Sequence, residues 1–233
     1  MILQRVKIFA DGADLKGILE LYRNPLIKGF TTNPTLMRKA GVTDYEAFAR
    51  ELLAAVPDRP ISFEVFADDF AEMAVQATRI AAWGDNVNVK IPITNTSGES
   101  AVPLLRRLAG QGIKLNVTAL TTLTQVREVL PALEGGPQAF VSVFAGRIAD
   151  TGRDPIPLMA AAIELLRPLP NLELIWASPR EILNLVQADA IGCHVITVTH
   201  DILAKLPLLG KPLEEVSLDT VKMFAEDARK ARL

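Results

Sequence analysis

The chemistry in this chain is concentrated around Lys90, which sits in Val87-Asn88-Val89-Lys90-Ile91-Pro92. The alternation predicts a short strand with Val87, Val89 and Ile91 on one face and Asn88 and Lys90 on the other. Lysine is almost never fully buried unless paired. If this face lines a closed barrel, loss of water penalises the ammonium and favours the neutral amine, a nucleophile that condenses with a carbonyl to a Schiff base. A lysine on an edge strand, pointing to water, is the plainer alternative. Against it stand the polar residues that end other apparent strands: Asp11, Asn33, Glu64, Asn116, Thr118, Ser142 and Ser178, with Arg147 and Arg180 just beyond strands six and seven. Together they supply an amine, two carboxylates, several hydrogen-bonding groups and two guanidinium forks of the shape that suits phosphate.

Each of these residues also has an ordinary explanation. Asp11 before Gly12 fits a turn, and Asn33 before Pro34 fits a helix cap. Thr118 favours strands whatever its role. Ser178, three residues before Glu181, fits a capping box. Glu64 within Ile61-Ser62-Phe63-Glu64-Val65 is the hardest to explain by structure alone.

The elements that must position these groups alternate throughout. Apolar strand-like runs at 6–9, 28–32, 61–65, 87–91, 113–118, 139–144, 172–177 and 194–199 are each followed by a stretch with helical spacing. Those helices are expected near 15–22, 45–56, 68–83, 97–109, 122–133, 155–166, from Ser178 onward, and 201–206. Eight strand–helix pairs predict a parallel α/β sheet closed into a (β/α)₈ barrel, the TIM barrel, whose chemistry lies at the C-terminal ends of the strands. An open doubly wound sheet is the alternative. One amphipathic helix at 217–231 exceeds the barrel's need. With 233 residues and no linker-like tract, residues 1–233 are expected to form one domain.

Composition narrows the function. Hydrophobic residues make up 49 % of the chain, enough for a large core. The net charge is −2, with no basic stripe, which argues against nucleic acid or an anionic membrane as partner. Cys193 is the single cysteine, so no intrachain disulfide can form. Arg5, Lys7 and Asp11 interrupt any leader-like apolar run, and a cytoplasmic location is expected. Cys193, His194 and His200 lack metal-ligand spacing, and the glycines form no P-loop or dinucleotide fingerprint, so no metal is expected.

Five segments in order carry a resemblance: Gly29-Phe30-Thr31-Thr32-Asn33-Pro34-Thr35, Val89-Lys90-Ile91-Pro92, Asn116-Val117-Thr118, Phe144-Ala145-Gly146-Arg147-Ile148 and Ala177-Ser178-Pro179-Arg180. Over essentially its whole length the chain resembles the transaldolases, in particular the short-chain group that includes fructose-6-phosphate aldolase. The resemblance implies a barrel enzyme with no cofactor, acting on sugar phosphates in the pentose phosphate pathway and assembling as a homo-oligomer. It implies Lys90 as the Schiff-base lysine, Asp11 as the base for the substrate hydroxyl, and Glu64 with Thr118 as proton shuttles through a bound water. Asn33, Asn116 and Ser142 would hold the dihydroxyacetone fragment, and Arg147, Ser178 and Arg180 the phosphate. Glu64 and Phe144 match the transaldolase pattern, where the aldolase has Gln and Tyr. Val143, Pro179, Gly12 and the loop at 94–99 depart from the family pattern. A fructose-6-phosphate aldolase and a non-catalytic sugar-phosphate-binding barrel are the alternatives.

Overall fold

The computed structural model describes residues 5–231. Eight parallel strands close into a barrel in sequential order: β1 (Lys7–Asp11), β2 (Ile27–Thr31), β3 (Ile61–Glu64), β4 (Val87–Pro92), β5 (Leu115–Leu120), β6 (Ala139–Val143), β7 (Leu172–Trp176) and β8 (Val195–Thr199). The barrel is closed because β8 pairs with β1 along its whole length, Lys7 to Val195 through Asp11 to Thr199. Helices follow in turn: α1 (Leu15–Tyr22), α2 (Pro34–Lys39), α3 (Tyr45–Ala55), α4 (Phe70–Ala81), α5 (Val102–Gly110), α6 (Leu123–Leu133), α7 (Ala145–Asp150), α8 (Ile156–Leu166), α9 (Leu183–Ala190), α10 (His200–Leu203) and α11 (Leu213–Ala231). None of the helices among the described residues is long and apolar enough to cross a membrane.

The strand pattern explains the layers. Val87, Val89 and Ile91 are buried in the main core, which fills the space between barrel and helices. A smaller cluster of Phe9, Phe140, Ile175, Ala177 and Val195 forms a second core. Phe9 and Phe140 lie on β1 and β6, which are not neighbours, and their rings meet edge to face at 5.5 Å. Such a contact can only cross the barrel's interior. Gly29 leaves room for it, because a Cβ there would lie 2.6 Å from the Phe9 ring. An aromatic plug therefore fills the middle of the barrel. Below it, Lys7, Lys28, Asn88, Lys114 and Glu173 line a separate cavity of about 400 Å³ at the N-terminal mouth.

Helix starts follow their side-chain caps. Asp14, Asn33, Asp44 and Asp69 each accept a backbone N–H in the first turn of α1, α2, α3 and α4. Thr122 and Gln125 form a reciprocal capping box on α6. The sequence expectation differs from the structure in four places. The helix expected from Ser97 begins at Val102, because Asn95 ties a turn through Ser97 and Glu99 and Thr94 bridges to Ser100. The capping box expected at Ser178 does not form. Instead Asn184 accepts the amides of Arg180 and Glu181, and α9 starts only at Leu183. The helix start suggested by Asn33-Pro34 is that of α2, whereas the short α7 has no counterpart in the sequence expectation. The last helix begins four residues earlier than expected and buries none of its residues.

Candidate active site

Strand register brings the site together. Across the parallel ladders Glu64 pairs with Lys90 and Lys90 with Asn116, so the three stand side by side on one row of the inner wall. Lys90 is only 6 % exposed. Its Nζ lies 3.0 Å from Glu64 Oε2 and donates to the Thr32 carbonyl at 2.9 Å. Thr32 is itself pinned, since its amide and hydroxyl both donate to the Ser62 carbonyl. The amine is thus buried, paired and fixed, as a barrel lysine must be to escape the full cost of an isolated charge.

Asp11 ends β1 on the same cavity. The Thr31 hydroxyl donates to Asp11 Oδ1 at 2.7 Å, and Asn33 Nδ2 lies 3.4 Å from Oδ2. Loss of water around Asp11 pushes its carboxyl above the ordinary range. The Lys90 charge and the Thr31 hydrogen bond oppose that rise, and the Glu64 charge adds to it. Thr31 Oγ1 is also 2.5 Å from Thr197 Oγ1. Thr31 has one proton and gives it to Asp11, so Thr197 donates to Thr31. The three form a directed chain from β8 through β2 to β1.

Asn33 does two jobs, capping α2 through Oδ1 while its amide nitrogen faces Asp11. Asn116 donates to Ser62 Oγ at 3.0 Å and accepts from Ser142 Oγ at 2.7 Å, a buried bridge across β3, β5 and β6. Thr118 Oγ1 is buried and has no hydrogen-bond partner among the described residues. Such an orphan in a polar cavity is a ready position for a water or a substrate oxygen. Thr118 precedes Ala119, a non-glycine residue at φ 66°, where the β5–β6 register shifts.

The rim lies on the far side. Phe144 follows β6 at the N-cap of α7 and packs against the inner aromatic cluster. Gly146, in the first turn of α7, passes so close to the next loop that a Cβ would fall 1.5 Å from the Ser178 carbonyl oxygen. Ser178 is left-handed at φ 59°. This contact gathers Arg147, Ser178 and Arg180 on one wall. Arg180 forks onto Asp150 through Nε and Nη2. Arg147 is exposed, and its side chain makes no hydrogen bond or ion pair among the described residues.

Lys90, Glu64, Asp11, Thr118, Asn33, Asn116, Ser142, Phe144, Arg147, Ser178 and Arg180 all line one cavity of about 500 Å³ at the C-terminal mouth. That volume suits a small metabolite. A family model described as Transaldolase/Fructose-6-phosphate aldolase matches residues 8–232. The chain belongs to the transaldolase/fructose-6-phosphate aldolase family. Among family relatives, the "Probable transaldolase" of Dehalococcoides mccartyi is 34 % identical over 202 residues, covering 86 % of this chain and 90 % of the relative. That of Pelotomaculum thermopropionicum is 34 % identical over 228 residues, 97 % and 99 % of the two chains. That of Streptococcus equi subsp. equi is 35 % identical over 227 residues, 95 % and 97 %. Solved barrels are more distant and speak for the fold alone. KGPDC from Streptococcus mutans aligns with a TM-score of 0.58 at 14 % identity, over 85 % of this chain and 90 % of that one. A native KDPGal structure aligns at 0.54 and 12 %, over 84 % and 83 %.

Sequence reasoning gave no role to Thr31 or Thr32, although both lie in a segment that carries the resemblance, and did not single out Ser62, Thr197, Tyr45 or Asp150. Thr and Ser at alternate positions of a strand look like ordinary strand residues. The signal that could have found them is phase: Ser62 lies two residues before Glu64 and therefore faces inward with it. His194 accepts the Leu174 amide through Nδ1, and burial pulls its pKa down, a structural use. Burial pushes the Cys193 thiol up to about 12.

Proposed function

We propose that the chain is a transaldolase, moving a dihydroxyacetone unit from a ketose phosphate, such as fructose 6-phosphate or sedoheptulose 7-phosphate, to an aldose phosphate, erythrose 4-phosphate or glyceraldehyde 3-phosphate. The observation that carries this is the Lys90 amine, buried at the cavity floor between a carboxylate and a carbonyl oxygen. Glu64 takes a proton from Lys90. The free amine adds to the ketose carbonyl, and the carbinolamine loses its hydroxyl as water with a proton returned through Glu64, Thr118 and a bound water. The iminium then draws electrons from the adjacent carbon–carbon bond as Asp11 removes the proton of the neighbouring hydroxyl. The aldose phosphate leaves, and the enamine on Lys90 attacks the acceptor aldehyde. Asn33, Asn116 and Ser142 hold the fragment's hydroxyls. Arg147, Ser178 and Arg180 take the phosphate. No cofactor is required.

Glu64 and Phe144 favour transfer over release to water, because a phenyl ring offers no hydroxyl to position the water that would free the fragment. The exposed apolar side of α11 supports a homo-oligomer in which a second copy covers it. We read the protein as one cytoplasmic barrel domain.

The test is borohydride reduction with fructose 6-phosphate, followed by peptide mapping. A stable adduct on Lys90 is expected. Absence of any adduct on folded protein leaves the non-catalytic barrel. Free dihydroxyacetone released as fast without erythrose 4-phosphate as with it replaces transfer by the aldolase reaction.

A further inference from the structure

The Glu64 carboxylate is only as well placed as the strand end that carries it. β3 has four residues, the fewest of any strand in the barrel, and Glu64 is its last. Beyond it the ladder supplies one more bond, from Val65 N–H to the Lys90 carbonyl at 3.2 Å. Two side chains from outside the barrel take over. The Tyr45 hydroxyl, at the first residue of α3, donates to the Glu64 carbonyl at 2.9 Å. Gln76 Oε1, on α4, accepts the amides of Phe66 and Ala67 at 2.7 and 3.0 Å. Residues 64 to 67 are therefore held without a break.

The phenol has little freedom. Its ring stacks on Phe66 with centroids 4.5 Å apart and meets Trp83 and Phe63 edge-on at 5.2 and 6.1 Å. Burial raises its pKa far above the ordinary phenol value, so the hydroxyl keeps its proton and remains a donor at working pH. Alternation along β3 links this packing to the site: Phe63 points outward to Tyr45, and Glu64 points inward to Lys90. Tyr45 does not line the active-site cavity. It acts on the backbone from which the carboxylate hangs.

We propose that Tyr45 is a positioning residue for catalysis: its O–H, donated to the Glu64 carbonyl, fixes the Glu64 carboxylate at hydrogen-bond distance from the Lys90 amine, and Gln76 completes the clamp. This rests on the Schiff-base reading above. Proton transfer depends steeply on geometry, and a displacement of about 1 Å costs on the order of 100-fold in rate. Loss of one hydrogen bond, with the ring still wedged in place, should cost less than that.

The experiment uses the full chain with Tyr45→Phe, which keeps the ring and removes only the hydroxyl. The rate of borohydride trapping at saturating fructose 6-phosphate and the steady-state kcat are expected to fall about tenfold, with KM changed by less than about twofold. Gln76→Met should act in the same direction, and it carries the test if Tyr45→Phe does not fold. Circular dichroism and a thermal midpoint fix the folded fraction. Trapping and turnover equal to wild type overturn the inference. So does a loss that merely tracks the folded fraction, or one confined to KM. A wild-type chain that traps no sugar removes the Schiff-base reading and this inference with it. A trapping wild type beside an equally fast variant removes the inference alone.

Discussion

Asp11 holds opposing influences in balance. Burial and the Glu64 charge raise its pKa, whereas Lys90 and Thr31 lower it, and the net direction is upward. In the proposed reaction Asp11 is the base and must be ionised to accept a proton, so a raised pKa moves the acid side of the rate profile to higher pH than an ordinary carboxylate would set. Asp11→Asn is expected to lower kcat by about 10²–10⁴-fold and to remove that acid limb, measured as kcat/KM against pH. The same shift bears on stability. A carboxyl with a raised folded pKa binds its proton more tightly in the folded state, so its contribution is full at low pH and fades as pH rises through that value. Around pH 7 the charged form is penalised, and Asp11→Asn should therefore not lower the thermal midpoint there. Lys90 and Glu64 were legible in the sequence because each interrupts an apolar alternation that has no structural use for a charge. Thr31 and Thr197 were not, because threonine is common in strands for reasons of shape alone.

Among the elements, the loops around α7 and α9 depart most from what the sequence suggested. Ser178-Pro179-Arg180-Glu181 has the spacing of a capping box, but the left-handed Ser178 turns the chain away and Asn184 satisfies the amides instead. Spacing predicts which atoms can meet only if the backbone between them is helical, and here it is not. The reason lies on another element: Gly146 presses against the Ser178 carbonyl, a contact between β6 and β7 loops that no local pattern encodes. Gly146→Ala is expected to destabilise the fold by about 1–3 kcal/mol through overpacking, seen as a lower urea midpoint at unchanged slope. It should also weaken binding of phosphorylated sugars more than of their dephosphorylated analogues. By contrast, the eight strands were legible throughout, since each is an apolar run whose inward positions alternate with positions facing the helices.

On the scale of the whole molecule, the strand–helix rhythm sufficed to predict closure, and the structure closes β8 on β1. What rhythm could not reveal is where the nineteen-residue amphipathic α11 goes, because a stripe of apolar residues does not say whose surface it meets. On this chain it buries nothing, and Phe224 is 62 % exposed. If a second copy covers it, Phe224→Glu should dissociate the assembly, read by light scattering, while far-UV circular dichroism stays that of a barrel. The aromatic plug formed by Phe9 and Phe140 has its own consequence. It makes the C-terminal cavity a cul-de-sac with one entrance, so in the proposed transfer the aldose released by the donor must depart through the opening by which the acceptor arrives. Traffic through a single doorway takes turns. Initial rates at several fixed acceptor concentrations should give parallel double-reciprocal lines, the mark of ping-pong exchange, and intersecting lines would mean that donor and acceptor share the chamber.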